Sequence, residues 1–439
     1  MARPPFRLLI KGGTVVTPRG VVTADIGVDR EQIATLGAPA GAAADEVIDA
    51  TGLHVLPGCI DSQVHFREPG LTHKEDIHTG SLAAAFGGVT TFFEMPNTNP
   101  PTTTPELHAD KVRSAKATSY TDFAFYLGAS KENAARLGEW EDNEGVCGVK
   151  CFLGSSTGTL LVDDEATLLK VLRSGKKRVA CHSEDEARLK ERKPLAKGSV
   201  HSHPVWRDEE CAVKSTTMLL GLAEQTQRKV HVLHVSTAGE LPLLRAHKNI
   251  ATCEVTPQHL TLVAPDCYDR LGTLAQMNPP IRDESHRAAL WAAVNDGLFD
   301  VMGSDHAPHT LEEKAKPYPE SPSGMPGVQT MLMLMLDHVA AGRTSLERVV
   351  DLLGHGPSRI FGLRKKGAIE VGRDADFVLV DLKARREVTK DWLKSKVGWS
   401  PWEGQQLTGW PVMTVLRGSV LVRDGQLVGK PAGLPVVLS

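Results

Sequence analysis

From about Val55 onward, short β-branched or aromatic runs alternate with longer amphipathic stretches, and this alternation limits the possible folds more than any other feature of the chain. A short apolar run followed by a segment of helical period is a strand–helix unit. Repeated units build a mostly parallel sheet, because each helix carries the chain back across it. The runs cover residues 53–66, 89–95, 121–127, 146–153, 178–182, 229–235, 250–255 and 299–303. Helix-like stretches between them include 74–86, 163–172, 207–225, 237–247 and 283–295. Eight such units in about 250 residues predict an α/β fold, a closed (β/α)8 barrel of the TIM type.

The two ends read differently. Residues 6–54 and 366–439 carry hairpin-like strands separated by Gly and Asp turns, such as Gly12-Gly13 and Asp376-Phe-Val-Leu-Val-Asp381. Neither has enough apolar surface for a core of its own, so both termini are expected to pair into one small β-sandwich. The boundaries are then 1–54 and 366–439 for the sandwich and 55–365 for the barrel.

Composition narrows the function classes. Fifty Lys+Arg against fifty-three Asp+Glu leave a net charge of -3, so no basic field exists to attract nucleic acid or anionic lipid. The short apolar run before Lys11 is no signal-peptide core, and no stretch approaches a membrane span, so a cytoplasmic location is expected. Seven cysteines without a CxxC pair read as buried thiols rather than a disulfide framework.

In a parallel barrel the chemistry sits at the C-terminal ends of the strands. The first run holds Asp61-Ser-Gln63-Val-His65-Phe-Arg67, the second ends at Glu94-Met-Pro-Asn97, and the fourth contains Lys150. The fifth ends in His182-Ser-Glu184, the sixth in His234-Val-Ser236, and the eighth in Ser304-Asp305-His306-Ala-Pro-His309. A single histidine at a strand end is usually a hydrogen-bonded structural residue. Three on separate strands, with an aspartate on another, are what a divalent-metal hydrolase needs. Lys150 reads either as a costly buried cation or, after reaction with carbon dioxide, as an anionic carbamate able to bridge two metals.

The stretch from Pro57 to Gly70, with Glu94-Met-Pro-Asn-Thr98, Asn278-Pro-Pro-Ile-Arg282, Ser304-Asp-His-Ala-Pro-His309 and Gly372-Arg-Asp-Ala-Asp376, resembles the dihydroorotase family of the amidohydrolase superfamily. That resemblance implies a zinc held by His65 and Asp305, a second held by His182 and His234, and carboxylated Lys150 bridging them. It implies Asp305 as general base and then general acid. Arg67, Asn97 and His309 would grip a substrate carboxylate, and Asn278, Ser323 and Gly324 would contact the ring. The implied reaction is reversible hydrolysis of dihydroorotate to N-carbamoyl aspartate in pyrimidine biosynthesis, and a homodimer is a further expectation. Two alternatives stand beside it: a silent scaffold for aspartate transcarbamoylase, and a hydantoinase- or allantoinase-type enzyme acting on another cyclic ureide.

The chain departs from the family pattern at Gln63, where the first His of a His-x-His pair is expected, and at Gln258, where the family often has a second adjacent His. An amide oxygen is a weaker zinc ligand than imidazole. One firmly bound zinc and a second, weaker one are therefore expected. His201-Ser-His203 is read as a loop away from the site, the methionines between Met331 and Met335 as core filler, and Cys151 and Cys181 as packed behind the barrel.

Overall fold

The computed structural model describes residues 5–156 and 160–438. Its centre is a parallel barrel of β1 (Cys59–Val64), β2 (Val89–Glu94), β3 (Asp122–Gly128), β4 (Val146–Phe152), β5 (Val179–His182), β6 (Val230–Val232), β7 (Ala251–Val255) and β8 (Val301–Met302). Each strand pairs in parallel with the next. A parallel bridge between Val64 and His306 closes the ring, and the amide of His65 donates to the His306 carbonyl at 2.8 Å. Every residue of β1, β2, β3 and β4 is buried, as helices outside and packed side chains inside require. That double burial is why the runs are continuous rather than alternating.

The first run is two strands rather than one. His54–Pro57 pairs antiparallel with Phe377–Glu387 in a terminal sheet, and β1 starts only after Gly58. A Cβ at Gly58 would lie 2.3 Å from Oγ1 of Thr90, so the crossing from sheet to barrel needs glycine there.

Both termini form the second unit. A four-stranded sheet (Phe6–Lys11, Ile26–Asp29, Gln32–Leu36, Ala44–Asp49) faces a seven-stranded one that mixes N-terminal strands with Phe377–Glu387, Gln406–Leu416 and Ser419–Arg423. Ile10, Val28, Ile33, Val55, Phe377 and Val415 share its core. Where this unit meets the foot of β3, the buried ammonium of Lys366 lies 2.9 Å from Asp374 and 2.8 Å from Asp376 and also pairs with Asp122. These three carboxylates cluster closely enough for a metal, but the Lys366 ammonium already pairs with all three and Arg417 with Asp122.

The remaining local readings separate. Met331, Met333 and Met335 are fully buried in the helix Met331–Ala340, and Cys151 and Cys181 are buried in the main core. Residues 201–203 are not a loop. Val200–Ser202 is a 3-10 turn, His203 opens a short helix, and its ring is buried. Among the described residues, no helix is long and apolar enough to cross a membrane.

Candidate metal and substrate site

Strand ends converge on one small cavity of about 20 Å³. Its lining includes Gln63, His65, Arg67, Asn97, Lys150, His182, His234, Asn278, Asp305, Ser323 and Gly324, all named from the sequence, with Phe152, Ser156 and Ala307. His309 stands directly behind Arg67, its Nε2 3.2 Å from Nη2 of that residue. Three of these residues bend the backbone into the left-handed region: Arg67 (φ 63°), His234 (φ 39°) and Asp305 (φ 44°). Such a conformation costs of order 1–3 kcal/mol for a non-glycine residue and concentrates where function fixes a side chain's aim.

The donor atoms suit cations. Nδ1 of His65 lies 2.8 Å from Oδ1 of Asn97, so the imidazole donates there and turns the lone pair of Nε2 toward Asp305 Oδ1, 3.2 Å away. A lone pair facing a carboxylate oxygen at that distance repels it unless a positive charge is shared. Nδ1 of His182 faces Nε2 of His234 at 3.1 Å, about the separation of two nitrogens bound to one zinc at roughly 2.0–2.1 Å each. On its other side, Nε2 of His182 lies 2.9 Å from Glu184. Glu184 is held in turn by buried Arg207, whose Nε stands 3.1–3.2 Å from both of its oxygens. Carboxylate–histidine pairing of this kind orients metal ligands.

Burial lowers the pKa of His65, His182 and His234 and keeps their lone pairs free. Burial also pushes the Lys150 amine down to about 8, with Asp305 acting the other way. An amine so depressed is a better nucleophile near neutrality than an ordinary lysine.

Gln63 stands where the first His of a His-x-His pair is expected. Its Nε2 donates to Asp305 Oδ1 at 3.1 Å, and its buried Oε1 has no hydrogen-bond partner. Gln258 instead braces the eighth strand end, donating to the Ser304 carbonyl at 2.7 Å.

Several supporting residues escaped the sequence reading. Glu184 and Arg207 orient His182, as above. Lys314, fully buried, donates to the carbonyls of Gln276, Pro322 and Gly324 at 3.1, 2.9 and 2.9 Å and so shapes the Ser323–Gly324 wall. His203 reaches Oδ1 of Asn278 at 3.0 Å, which brings a residue set aside as remote to the edge of the cavity. Glu254 lies beneath the site, accepting from Ser62 at 2.9 Å, its carboxyl pushed up to about 8 by burial. Only Glu184 carried a usable signal, two residues beyond His182 on the same strand end.

The Amidohydrolase family model matches residues 54–421. A dihydroorotase of Methanothermobacter thermautotrophicus is 37% identical over 416 residues, 93% of each chain. An allantoinase of Deinococcus radiodurans is 34% identical, with 97% of each chain covered. Among solved structures, L-hydantoinase from Arthrobacter aurescens superposes with a TM-score of 0.94 at 29% identity, covering 98% of this chain and all of that one.

Proposed function

Since the chain belongs to the amidohydrolase family and is a hydrolase acting on cyclic amides, we propose that it is a dihydroorotase, reversibly opening dihydroorotate to N-carbamoyl aspartate in cytoplasmic pyrimidine synthesis. One observation supports this choice over other cyclic ureides: the Arg67 guanidinium lines the same cavity as the histidine and aspartate donors. A guanidinium fork matches a planar carboxylate. Hydantoin and allantoin have no ring carboxylate for it to hold.

His65 and Asp305 would hold one zinc, His182 and His234 another, with Lys150, as its carbamate, between them. Bound there, the metals would supply a polarised carbonyl and an acidified water. The protein's own part is positional and protonic. Arg67 and Asn97 set the ring carboxylate, with His309 behind Arg67, while Asn278, Ser323 and Gly324 close over the ring. Asp305, at the cavity wall, accepts the proton of the attacking water and returns it to the ring nitrogen as the amide opens. Apart from the position of Gln63 this machinery is retained, which argues against a silent scaffold. Association as a homodimer or with aspartate transcarbamoylase belongs to the same proposal.

The test is a ring-opening assay on dihydroorotate, dihydrouracil, hydantoin and allantoin, with metal analysis of the same sample. Dihydroorotate turned over at least a hundredfold better than the uncharged rings is expected. Equal rates on dihydrouracil would overturn the assignment.

A further inference from the structure

Behind the cavity a polar chain runs outward from His309, and its geometry fixes where the imidazole carries its proton. Nε2 lies 3.1 Å from the Ser323 carbonyl, which can only accept, and 3.2 Å from Arg67 Nη2, which can only donate. Nδ1 lies 3.1 Å from Nζ of Lys74, a donor, and 3.5 Å from Glu313 Oε2. The shorter contact at each nitrogen favours the same tautomer: a proton on Nε2 and a lone pair on Nδ1. The alternative would turn an N–H against the ammonium of Lys74 and leave the Ser323 carbonyl facing a lone pair. An imidazolium is disfavoured because the ring is buried between Lys74 and Arg67, with Lys314 nearby.

We infer that Lys74 is a positioning residue for the proposed reaction, locking His309 as its Nε2–H tautomer so that this N–H stays on the Ser323 carbonyl, while Arg67 Nη2, from which His309 then cannot accept, keeps its N–H for a substrate carboxylate. The two nitrogens are not bonded to each other in this state, since both donate. Arg67 lines the cavity, so the N–H left without a histidine acceptor is available there to an anionic oxygen. Lys74 is itself fixed from two sides. Glu313 Oε1 lies 3.0 Å from its Nζ, while Oε2 of the same carboxylate accepts from the Thr310 amide at 3.1 Å. The loop after β1 is wound by bonds from the Leu71 amide to the Arg67 carbonyl and from the Lys74 amide to the Leu71 carbonyl, both 3.0 Å. His73, at 3.7 Å from Glu313, adds a second weak hold on that carboxylate.

The carboxylate role rests on the dihydroorotase reading, but the tautomer does not, and the experiment separates them. Nitrogen-15 NMR of histidine-labelled full-length protein, with His309 assigned from the signal lost in His309→Asn, should show a protonated Nε2 and an unprotonated Nδ1. In Lys74→Met the proton should move to Nδ1, donated to Glu313. KM for dihydroorotate should rise about tenfold with kcat changed less than about twofold, and Lys74→Arg should restore both. A wild-type His309 protonated at Nδ1 overturns the inference from the wild-type spectrum alone, whether or not the variant folds. An unchanged tautomer in folded Lys74→Met overturns it too. Absence of dihydroorotate turnover with the expected spectra would instead refute the substrate assignment.

Discussion

Nε2 of His65 and Oδ1 of Asp305 stand 3.2 Å apart with the other ring nitrogen already committed to Asn97. Two electron-rich atoms this close suit a cation between them. The first prediction follows: dialysis against a strong chelator should lower the melting temperature by several degrees, and zinc should restore it, since a ligand that binds only the folded chain stabilises it by mass action. Identical melting before and after verified metal removal would mean the site folds without cations.

Gln63 makes the second prediction. Its amide already donates to the oxygen of Asp305 that faces His65. The pair formed by His182 and His234 keeps two imidazoles, so one metal should survive dialysis against a mild chelator while the other is lost. Gln63→His should then retain close to two. Two metals held equally by the wild type would refute the weak-site argument.

Arg67 is fully buried, donates through Nε to the Pro308 carbonyl at 3.2 Å, and turns Nη2 toward His309. Arg67→Ala should cost about 2–5 kcal/mol of transition-state stabilisation on dihydroorotate, read as a loss in kcat/KM. On dihydrouracil the same substitution should change little. A uniform loss on both substrates would assign Arg67 to folding rather than recognition.

The barrel and the cavity were legible because both follow from short-range pattern. Strands covered on both faces are continuous apolar runs, and their C-terminal residues must face one rim, so Gln63, His65, Lys150, His182, His234 and Asp305 could be named together. The break at Gly58 was hidden, since His54–Pro57 and β1 follow each other with one residue between them and only the approach of Thr90 marks the crossing. β8 is just two residues long, yet the polar residues beyond it made it recognisable. What periodicity cannot report is a contact set by loop paths. Lys74 meets His309 across 235 positions, and Arg207 meets Glu184 across 23, with no spacing that marks either pair.

The pair of Glu184 and Arg207 carries the fourth prediction. Glu184 has no exposed surface, and its carboxyl is held far below the usual range by the Arg207 guanidinium and His182, against the opposing effect of burial. Glu184→Gln keeps the shape but strands a buried guanidinium. Destabilisation of about 3–5 kcal/mol is expected, with metal affinity at the His182 and His234 pair falling about 10–100-fold. Glu184→Gln combined with Arg207→Met should recover much of the stability but not the metal affinity. Chemical denaturation and metal competition measure the two effects separately; wild-type stability in the single variant would show that the pair is dispensable.

The last prediction concerns acid. Burial pushes His203, His231 and His309 down to about 3 and His108, His259 and His338 down to about 4, from an ordinary 6.5. Below 6.5 the unfolded chain takes up protons on these rings and the native chain does not, so stability is lost as pH falls from 6.5 toward 4. Three carboxyls act oppositely. Burial raises Asp61 and Glu94 to about 7 and Glu254 to about 8, so their contribution is full at low pH and fades as pH rises through those values. Near pH 5.5 the six rings outweigh the three carboxyls by about three protons, a slope of about 4 kcal/mol per pH unit. Above 7 the carboxyls are opposed by Lys150 and Lys314, whose amines burial lowers to about 8 and about 7 from an ordinary 10.5, so the slope flattens rather than reversing. Stability should therefore rise steeply from pH 5 to about 6.5 and level off above about 7. His203, whose Nε2 lies 3.0 Å from the Met277 carbonyl, gives the control: His203→Gln should lower the acid slope by about one proton. Denaturant midpoints measured from pH 5 to 8 decide the matter, and a midpoint that held steady or rose between pH 6.5 and 5 would show that the buried rings are already charged in the native protein.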